Sequence, residues 1–193
     1  MLFLGADPRS NVKEWSYRII IKSGSDLHSD DQVAKDYKKI RHRLAIPEGC
    51  DELLPGESLP LEHNADLNGS VSFNKGCYIG QELTARTRFT GVIRKRILPI
   101  RIESQLPTTQ MNKTPILRLD SEKPIGSIRV LNQVAPHCYE GLALVRFSDI
   151  IDLPQENRVY IYDSDKIRHE VCVSRPSWWA EDVCPKLKPV TIS

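Results

Sequence analysis

The sequence predicts an α+β fold in two parts, an α/β segment over residues 1–90 and a small antiparallel β-barrel of about six strands over residues 91–193. Three observations carry this. Strand-like runs crowd the second half, separated by Pro, Gly, Asn and Asp clusters. A strand followed by an amphipathic helix stands in the first half. Between them lies a stretch punctuated by Pro47, Gly49, Pro55, Gly56, Pro60 and Gly69 that still carries interleaved apolar residues.

Taken in order, Trp15, Tyr17, Ile19 and Ile21 share one face at period two, which predicts a largely buried strand of about seven residues. Ser29 with Gln32 three residues later is a capping-box pattern. Val33, Tyr37, Ile40 and Leu44 follow at helical spacing, giving a helix of about 15 residues that ends before Pro47. One strand and one helix cannot bury their apolar faces alone, so something else must complete that layer. Residues 46–74 read as an ordered loop anchored by Leu53, Leu54, Leu59, Leu61, Leu67, Val71 and Phe73, and long anchored loops are often functional. The barrel strands are read at Leu98–Ile102, Pro115–Leu119, Ile125–Leu131, Gly141–Phe147, Arg158–Tyr162 and Ile167–Val173. Trp178 and Trp179 are expected to cap the end of the barrel.

Composition narrows the function classes. The chain has 193 residues, 27 Lys+Arg against 25 Asp+Glu, and 40% hydrophobic residues, values that disfavour disorder and coiled coil. Apolar runs such as Leu142–Val145 fall far short of the roughly 20 residues a membrane helix needs. A net charge of +2 gives no global case for nucleic acid. The five cysteines include no C-x-x-C pair, so no zinc knuckle and no disulfide framework is expected, and a reducing compartment fits better. The first residues carry neither a basic leader nor an Arg/Ser-rich presequence.

The densest constellation runs from Phe73 to Arg86. Gly76 and Gly80 flank Cys77 and Tyr78 and allow close backbone approach. Lys75 would favour a thiolate at Cys77 if the two side chains converge. Gln81 and Glu82 start a short helix in which Glu82 can pair with Arg86. Spacing alone leaves two readings, a reactive or ligand-facing thiol and a buried structural cysteine. Between Glu82 and Glu103 there is no acidic residue, whereas Arg86, Arg88, Arg94, Lys95, Arg96 and Arg101 all fall there. This is either a charged strand edge that resists pairing or an anion-binding surface. Other polar residues read as structural. Cys172 lies opposite the face of Ile167, His169, Val171 and Val173, adjacent His137 and Cys138 project apart rather than forming a metal pair, and His63 has no visible orienting neighbour.

The segment Lys75-Gly-Cys-Tyr-Ile-Gly-Gln-Glu82, followed by Leu-Thr-Ala-Arg86, resembles the signature of the mitochondrial iron–sulfur cluster assembly factors of the folate-binding family, relatives of the glycine-cleavage T-protein, an aminomethyltransferase. Asp7-Pro-Arg9 with Tyr17-Arg18, Ile46-Pro-Glu-Gly49, Leu59-Pro-Leu-Glu62, Ile125-Gly126 and Gly141-Leu-Ala-Leu144 with Arg146 resemble further elements of that family. The resemblance implies that residues 1–90 are the C-terminal part of a T-protein-like folate-binding α/β unit, shortened at its N-terminus. It implies action late in making [4Fe–4S] clusters in the mitochondrial matrix, with A-type carrier proteins as partners, and with neither nucleic acid nor membrane. It implies Cys77 as the functional thiol and Glu62, Lys75, Gly76, Tyr78, Gly80, Gln81 and Arg86 around tetrahydrofolate. No resident metal site is expected; a transient cluster contact through Cys77 and an external thiol is compatible with the single signature cysteine. Two other functions stay open at this point. One is folate-dependent one-carbon transfer, although the T-protein lacks the signature cysteine. The other is a barrel interaction module without folate binding.

Overall fold

A computed structural model describes residues 3–9, 17–24, 30–108, 110–151, 159–180 and 183. Strands β1 (Phe3–Ala6) and β2 (Tyr17–Ile20) form a two-stranded antiparallel ribbon. Helices α1 (Asp31–Arg43), α2 (Gly49–Glu52) and α3 (Gln81–Phe89) follow, and then strands β3 (Lys95–Glu103), β4 (Pro115–Arg118), β5 (Pro124–Ala135) and β6 (Cys138–Arg146). The short helix α4 (Phe147–Ile151) precedes β7 (Val159–Tyr162) and β8 (Arg168–Val173). No helix among the described residues is long and apolar enough to cross a membrane.

Strands β3 to β8 close a barrel in the order β3-β6-β5-β4-β7-β8, with β8 returning to β3 through the Ile100–Val173 and Arg101–Cys172 pairs. Alternation explains the core. Leu98, Ile100 and Ile102 on β3 point inward with Ile116, Ile125, Ile128, Val159, Ile161, Val171 and Val173, while Cys172 faces outward. All six expected strand segments are barrel strands, although Arg158 lies outside the described residues. Trp179 packs into the barrel core, and Trp178 packs beside it while donating to the Leu44 carbonyl at 2.9 Å. The β5–β6 hairpin turns at Pro136 and His137, and the left-handed φ of 57° at His137 follows the proline as a type II turn requires. Gly141 on β6 lies against β5 so closely that a Cβ there would stand 1.9 Å from the Val130 carbonyl oxygen. The β7–β8 hairpin is tied by Asp163. Its Oδ1 accepts from the Asp165 and Ile167 amides, its Oδ2 meets His169 Nε2 at 2.8 Å, and His169 Nδ1 meets Ser104 Oγ at 2.8 Å.

The first half departs from expectation in three ways. The strand expected over 15–21 is Tyr17–Ile20, and Trp15 and Ser16 lie outside the described residues. It is exposed rather than buried: Phe3, Leu4, Tyr17, Ile19 and Ile20 all face solvent, because among the described residues β1 is the one strand it pairs with. Helix α1 is capped by Asp30, whose carboxylate accepts from the Gln32 amide at 2.9 Å; Ser29 lies outside the described residues. The expected apolar stripe holds at its C-terminal end, where Leu44 is fully buried and Tyr37 and Ile40 are half-buried, and fails at its start. Val33 is exposed, and the helix is buried through Arg41, His42 and Arg43 in its last turn, which lie against the barrel beside buried carboxylates.

Candidate functional site

The signature segment approaches α3 as irregular backbone. Gly80 is the N-cap residue with a left-handed φ of 83°, a conformation glycine adopts without strain. Gln81 folds back so that its Oε1 accepts from the Tyr78 amide at 3.2 Å. Upstream, Phe73 stacks edge-on against Phe89 at 5.8 Å, and the Arg88 guanidinium lies 5.5 Å from the Phe73 ring. The loop is therefore pinned to both ends of α3, and the residues between the pins project outward. Cys77 is an exposed free thiol, which excludes the buried structural reading. Ile79 is fully exposed, and Lys75, Gly76, Tyr78 and Gly80 are also at the surface. The Lys75 ammonium lies 5.3 Å from the Tyr78 ring centroid, so its recorded partner is an aromatic face. Glu82 and Arg86 are both exposed and make no ion pair with each other.

Glu62 is half-buried and stands elsewhere. Its carbonyl accepts from the Ile97 amide at 2.8 Å, which joins the loop to β3. Its side of the loop borders an apolar groove of about 150 Å³ that meets α3 at Leu83, Thr84 and Thr87. None of Lys75, Gly76, Cys77, Tyr78, Gly80, Gln81 or Arg86 lines that groove. The expected site residues therefore fall into two sets that share α3 but do not converge.

The basic run divides as well. Arg96 is buried, grips Asp66 through two bonds of 2.8 and 2.9 Å, and donates to the Leu61 carbonyl. Burial alone would push Asp66 up, but Arg96, with Arg88 nearby, holds its carboxyl below the usual range. Arg101 pairs with Glu103 and Glu140. Strand β3 has neighbours on both sides, so the run is not a charged sheet edge. Arg86, Arg94 and Lys95 remain on the surface.

Sequence reasoning missed a buried ionic junction at the end of α1. Glu52 accepts from Arg41 at 2.6 and 2.8 Å and from the Glu48 amide at 2.8 Å, and it meets His42 Nε2 at 2.8 Å. Burial opposes ionisation of Glu52, yet Arg41 and His42 bring its carboxyl down to about 2. His42 reaches Asn132 through its other nitrogen at 3.2 Å. Arg43 clasps Glu140 on β6 at 2.8 and 3.0 Å, tying helix to barrel. Next to this junction, Arg9 bonds Asp7, Tyr37 and Glu48. The Asp7-Pro-Arg9 and Ile46-Pro-Glu-Gly49 motifs, distant in sequence, thus meet through side chains. Three polar residues in a row closing an amphipathic helix were the available signal.

Three comparisons bear on identity. A family model described as CAF17, C-terminal beta-barrel domain, matches residues 94–181. The chain is 42% identical over 177 residues to the mitochondrial iron–sulfur cluster assembly factor IBA57 of Mus musculus, covering 90% of this chain and 46% of that protein. Over most of its own length the chain is similar to an IBA57 factor. The Homo sapiens factor of the same name is 40% identical over 144 residues, covering 75% of this chain and 38% of that one. This IBA57-like chain therefore spans less than half the length of the curated relatives it matches. Among solved structures, the glycine cleavage system aminomethyltransferase T from Bartonella henselae aligns with a TM-score of 0.53 at 11% identity, covering 75% of this chain and 38% of that one. That likeness concerns the fold, and it agrees with an α+β chain ending in a barrel.

Two further features of the IBA57-like chain bear on its chemistry. Among the described residues, no group of three or more His, Cys, Asp or Glu side chains is placed to hold a metal ion. Cys50, Cys77, Cys138 and Cys172 are all free, and Cys184 lies outside the described residues. His63, read from sequence as lacking an orienting partner, has one: its Nδ1 lies 3.0 Å from the Leu59 carbonyl oxygen, one helical turn back in a tightly coiled loop.

Proposed function

We propose that this IBA57-like chain serves the maturation of mitochondrial iron–sulfur proteins, with Cys77 as its contact to the cluster. The observation that carries the reading is the placement of Cys77, a free and exposed thiol on a loop pinned at both ends, with no part in packing the fold. The names of the relatives support the assembly role. The cluster is cargo. An iron–sulfur cluster needs several ligands, and no group of candidate ligands stands together among the described residues. Cys77 would therefore offer one sulfur, losing its proton on coordination, to a cluster whose other ligands a partner supplies. An A-type carrier delivering toward [4Fe–4S] proteins in the matrix is the partner this reading implies. Ile79, fully exposed two residues away, gives such a partner an apolar contact beside the thiol.

Tetrahydrofolate, which the family resemblance implies, fits these residues poorly. The groove beside Glu62 holds about 150 Å³, below the roughly 300 Å³ at which small-molecule pockets begin. The remaining expected contacts lie outside it. Isothermal titration of this chain with tetrahydrofolate is expected to show no saturable heat. Saturable binding would instead favour a folate-dependent reading, with one-carbon transfer as its enzymatic form.

The Cys77→Ser chain, expressed in cells depleted of the corresponding factor, is expected to restore [4Fe–4S] enzyme activity at least about tenfold less well than the unmodified chain, on the scale of losses in a metal's ligand shell. Equal restoration by both chains at equal abundance sinks the proposal.

A further inference from the structure

We propose that Ser104 is an activated nucleophile at one mouth of the barrel, with His169 as its base and a small acyl ester as its substrate class. The alternation of the barrel strands brings the two residues together. Leu98, Ile100 and Ile102 face inward on β3, and Ser104 continues their parity just past the end of the strand. His169 shares the parity of Val171 and Val173 on β8. Ile100 pairs with Val173 in antiparallel register, so Ser104 and His169 fall opposite each other at the same end of the barrel. Barrel mouths are recurrent ligand sites. Ser104 is half-buried and keeps part of its surface in solvent, where a carbonyl on a small group can reach it.

The hydrogen bonds run in one direction. Asp163 Oδ1 accepts from the Asp165 and Ile167 amides, which fixes the carboxylate and leaves Oδ2 to His169 Nε2 at 2.8 Å. The His169 bond, helped by those amides, holds the Asp163 carboxyl below its usual range, so at neutral pH it only accepts. Nε2 therefore carries the ring hydrogen, and Nδ1 presents a lone pair. Ser104 Oγ, 2.8 Å from Nδ1, is its donor. A hydroxyl donating to a neutral imidazole that a carboxylate orients is the arrangement that activates serine, here with the two ring nitrogens in exchanged roles.

The chemistry balances without a co-reactant other than water. Oγ bonds the carbonyl carbon as the ester's C–O bond breaks. The hydroxyl proton passes to Nδ1 and from there to the departing alkoxide, while Asp163 faces the transient imidazolium. Water then attacks the acyl-serine through Nδ1, the proton returns to Oγ, and the carboxylic acid leaves. The Gln105 amide has no hydrogen-bond partner among the described residues. It follows the nucleophile directly, the position from which a backbone N–H serves the oxyanion in hydrolases of the nucleophile-elbow type.

The first probe is diisopropyl fluorophosphate, which forms a stable Oγ–P bond as fluoride leaves and can be mapped to single serines. On the unmodified chain Ser104 is expected to be labelled at least about 100-fold faster than Ser164, an exposed serine beside Asp163, as a positioned general base provides. Asp163→Asn separates chemistry from structure. Its carbonyl oxygen can keep both backbone bonds while its NH₂ donates to Nε2, which moves the ring hydrogen to Nδ1 and leaves Ser104 without a base. Labelling of Ser104 is expected to fall at least about 100-fold in that variant while the Asp165 and Ile167 amide signals stay in place. The second probe is p-nitrophenyl acetate, applied after the free thiols are capped with iodoacetamide. Ser104→Ala is expected to release p-nitrophenol at least about tenfold more slowly than the unmodified chain. Labelling of Ser104 no faster than Ser164 overturns the proposal and leaves the contact a structural tie. Undiminished labelling in Asp163→Asn, or equal p-nitrophenol release by Ser104→Ala, overturns it as well. The comparison of Ser104 with Ser164 is made on one unmodified chain, so it does not depend on a variant folding.

Discussion

Glu52→Ala is expected to destabilise the chain by about 3–5 kcal/mol, the range for removing one partner from a buried ion pair. Glu52 and Arg41 are both buried, and their bidentate contact at 2.6 and 2.8 Å is joined by His42 and the Glu48 amide. Alanine leaves the Arg41 guanidinium with the Ile46 carbonyl at 2.6 Å and Glu48 at 3.4 Å, which is too little to compensate a desolvated cation. The measurement is the denaturant midpoint at unchanged slope. The same carboxylate sets an acid limit. Its folded pKa of about 2 lies below the ordinary 4.5. Its contribution is therefore complete above pH 4.5 and is lost as pH falls toward 2. The alanine variant should lack that part of the acid dependence, and a variant whose midpoint falls in parallel with the unmodified chain from pH 5 to 3 would show that Glu52 is not the group responsible.

Gly141→Ala is expected to cost about 3 kcal/mol or more, the upper range of overpacking a tight interior. A methyl group there meets backbone: the Val130 carbonyl oxygen at 1.9 Å, its carbon at 2.9 Å and Leu131 Cα at 3.0 Å. Backbone cannot rotate away as a side chain can. Strands β5 and β6 pair across this point, where the register already shifts between Ile128 and Val130. Relief would have to spread along the hairpin that forms the middle of the barrel. A loss of this size lowers the melting temperature by roughly 6–12 °C in a chain of this length. Gly76→Ala is the control. Nothing lies within 4 Å of a Cβ at that position, and its melting temperature should stay within the change that about 0.5 kcal/mol produces.

The barrel was legible because its strands obey a local rule. Alternation at Leu98, Ile100 and Ile102, or at His169, Val171 and Val173, reports an inward face without any knowledge of neighbours. What the pattern could not carry was extent and order. Strand β5 runs on through Asn132 and Gln133 to Ala135 because hairpin pairing with β6 holds polar residues extended. Helix α4 begins at Phe147, which was read as the end of a strand. In α1 the period was right, but the burial of Arg41, His42 and Arg43 beside the stripe was not legible, since they are stabilised by Glu52 and Glu140, residues that no local window contains. The signature thiol was legible as a motif, and its exposure was one of the two readings left open. The separation of Glu62 from Cys77 was not legible, because it depends on how two loops approach α3 from different sides. His63 was dismissed for want of an orienting side chain, and its partner proved to be a backbone carbonyl.

The closure of the barrel has a consequence for the order of events during synthesis. Before β7 and β8 exist, β3, β6, β5 and β4 can form only an open sheet, with its two outer edges on β3 and β4. The β7–β8 hairpin seals both at once, β7 against β4 and β8 against β3. The β3 edge must wait for a strand about 70 residues downstream, a delay of roughly 4–14 s at ribosomal rates. During that interval it is a template for any extended chain nearby. Asp163, by fixing the turn of the late hairpin, lets the final piece arrive already shaped. A weakened turn should therefore show first as poor yield and aggregation of newly made chain, before any change in the melting of the molecules that do close.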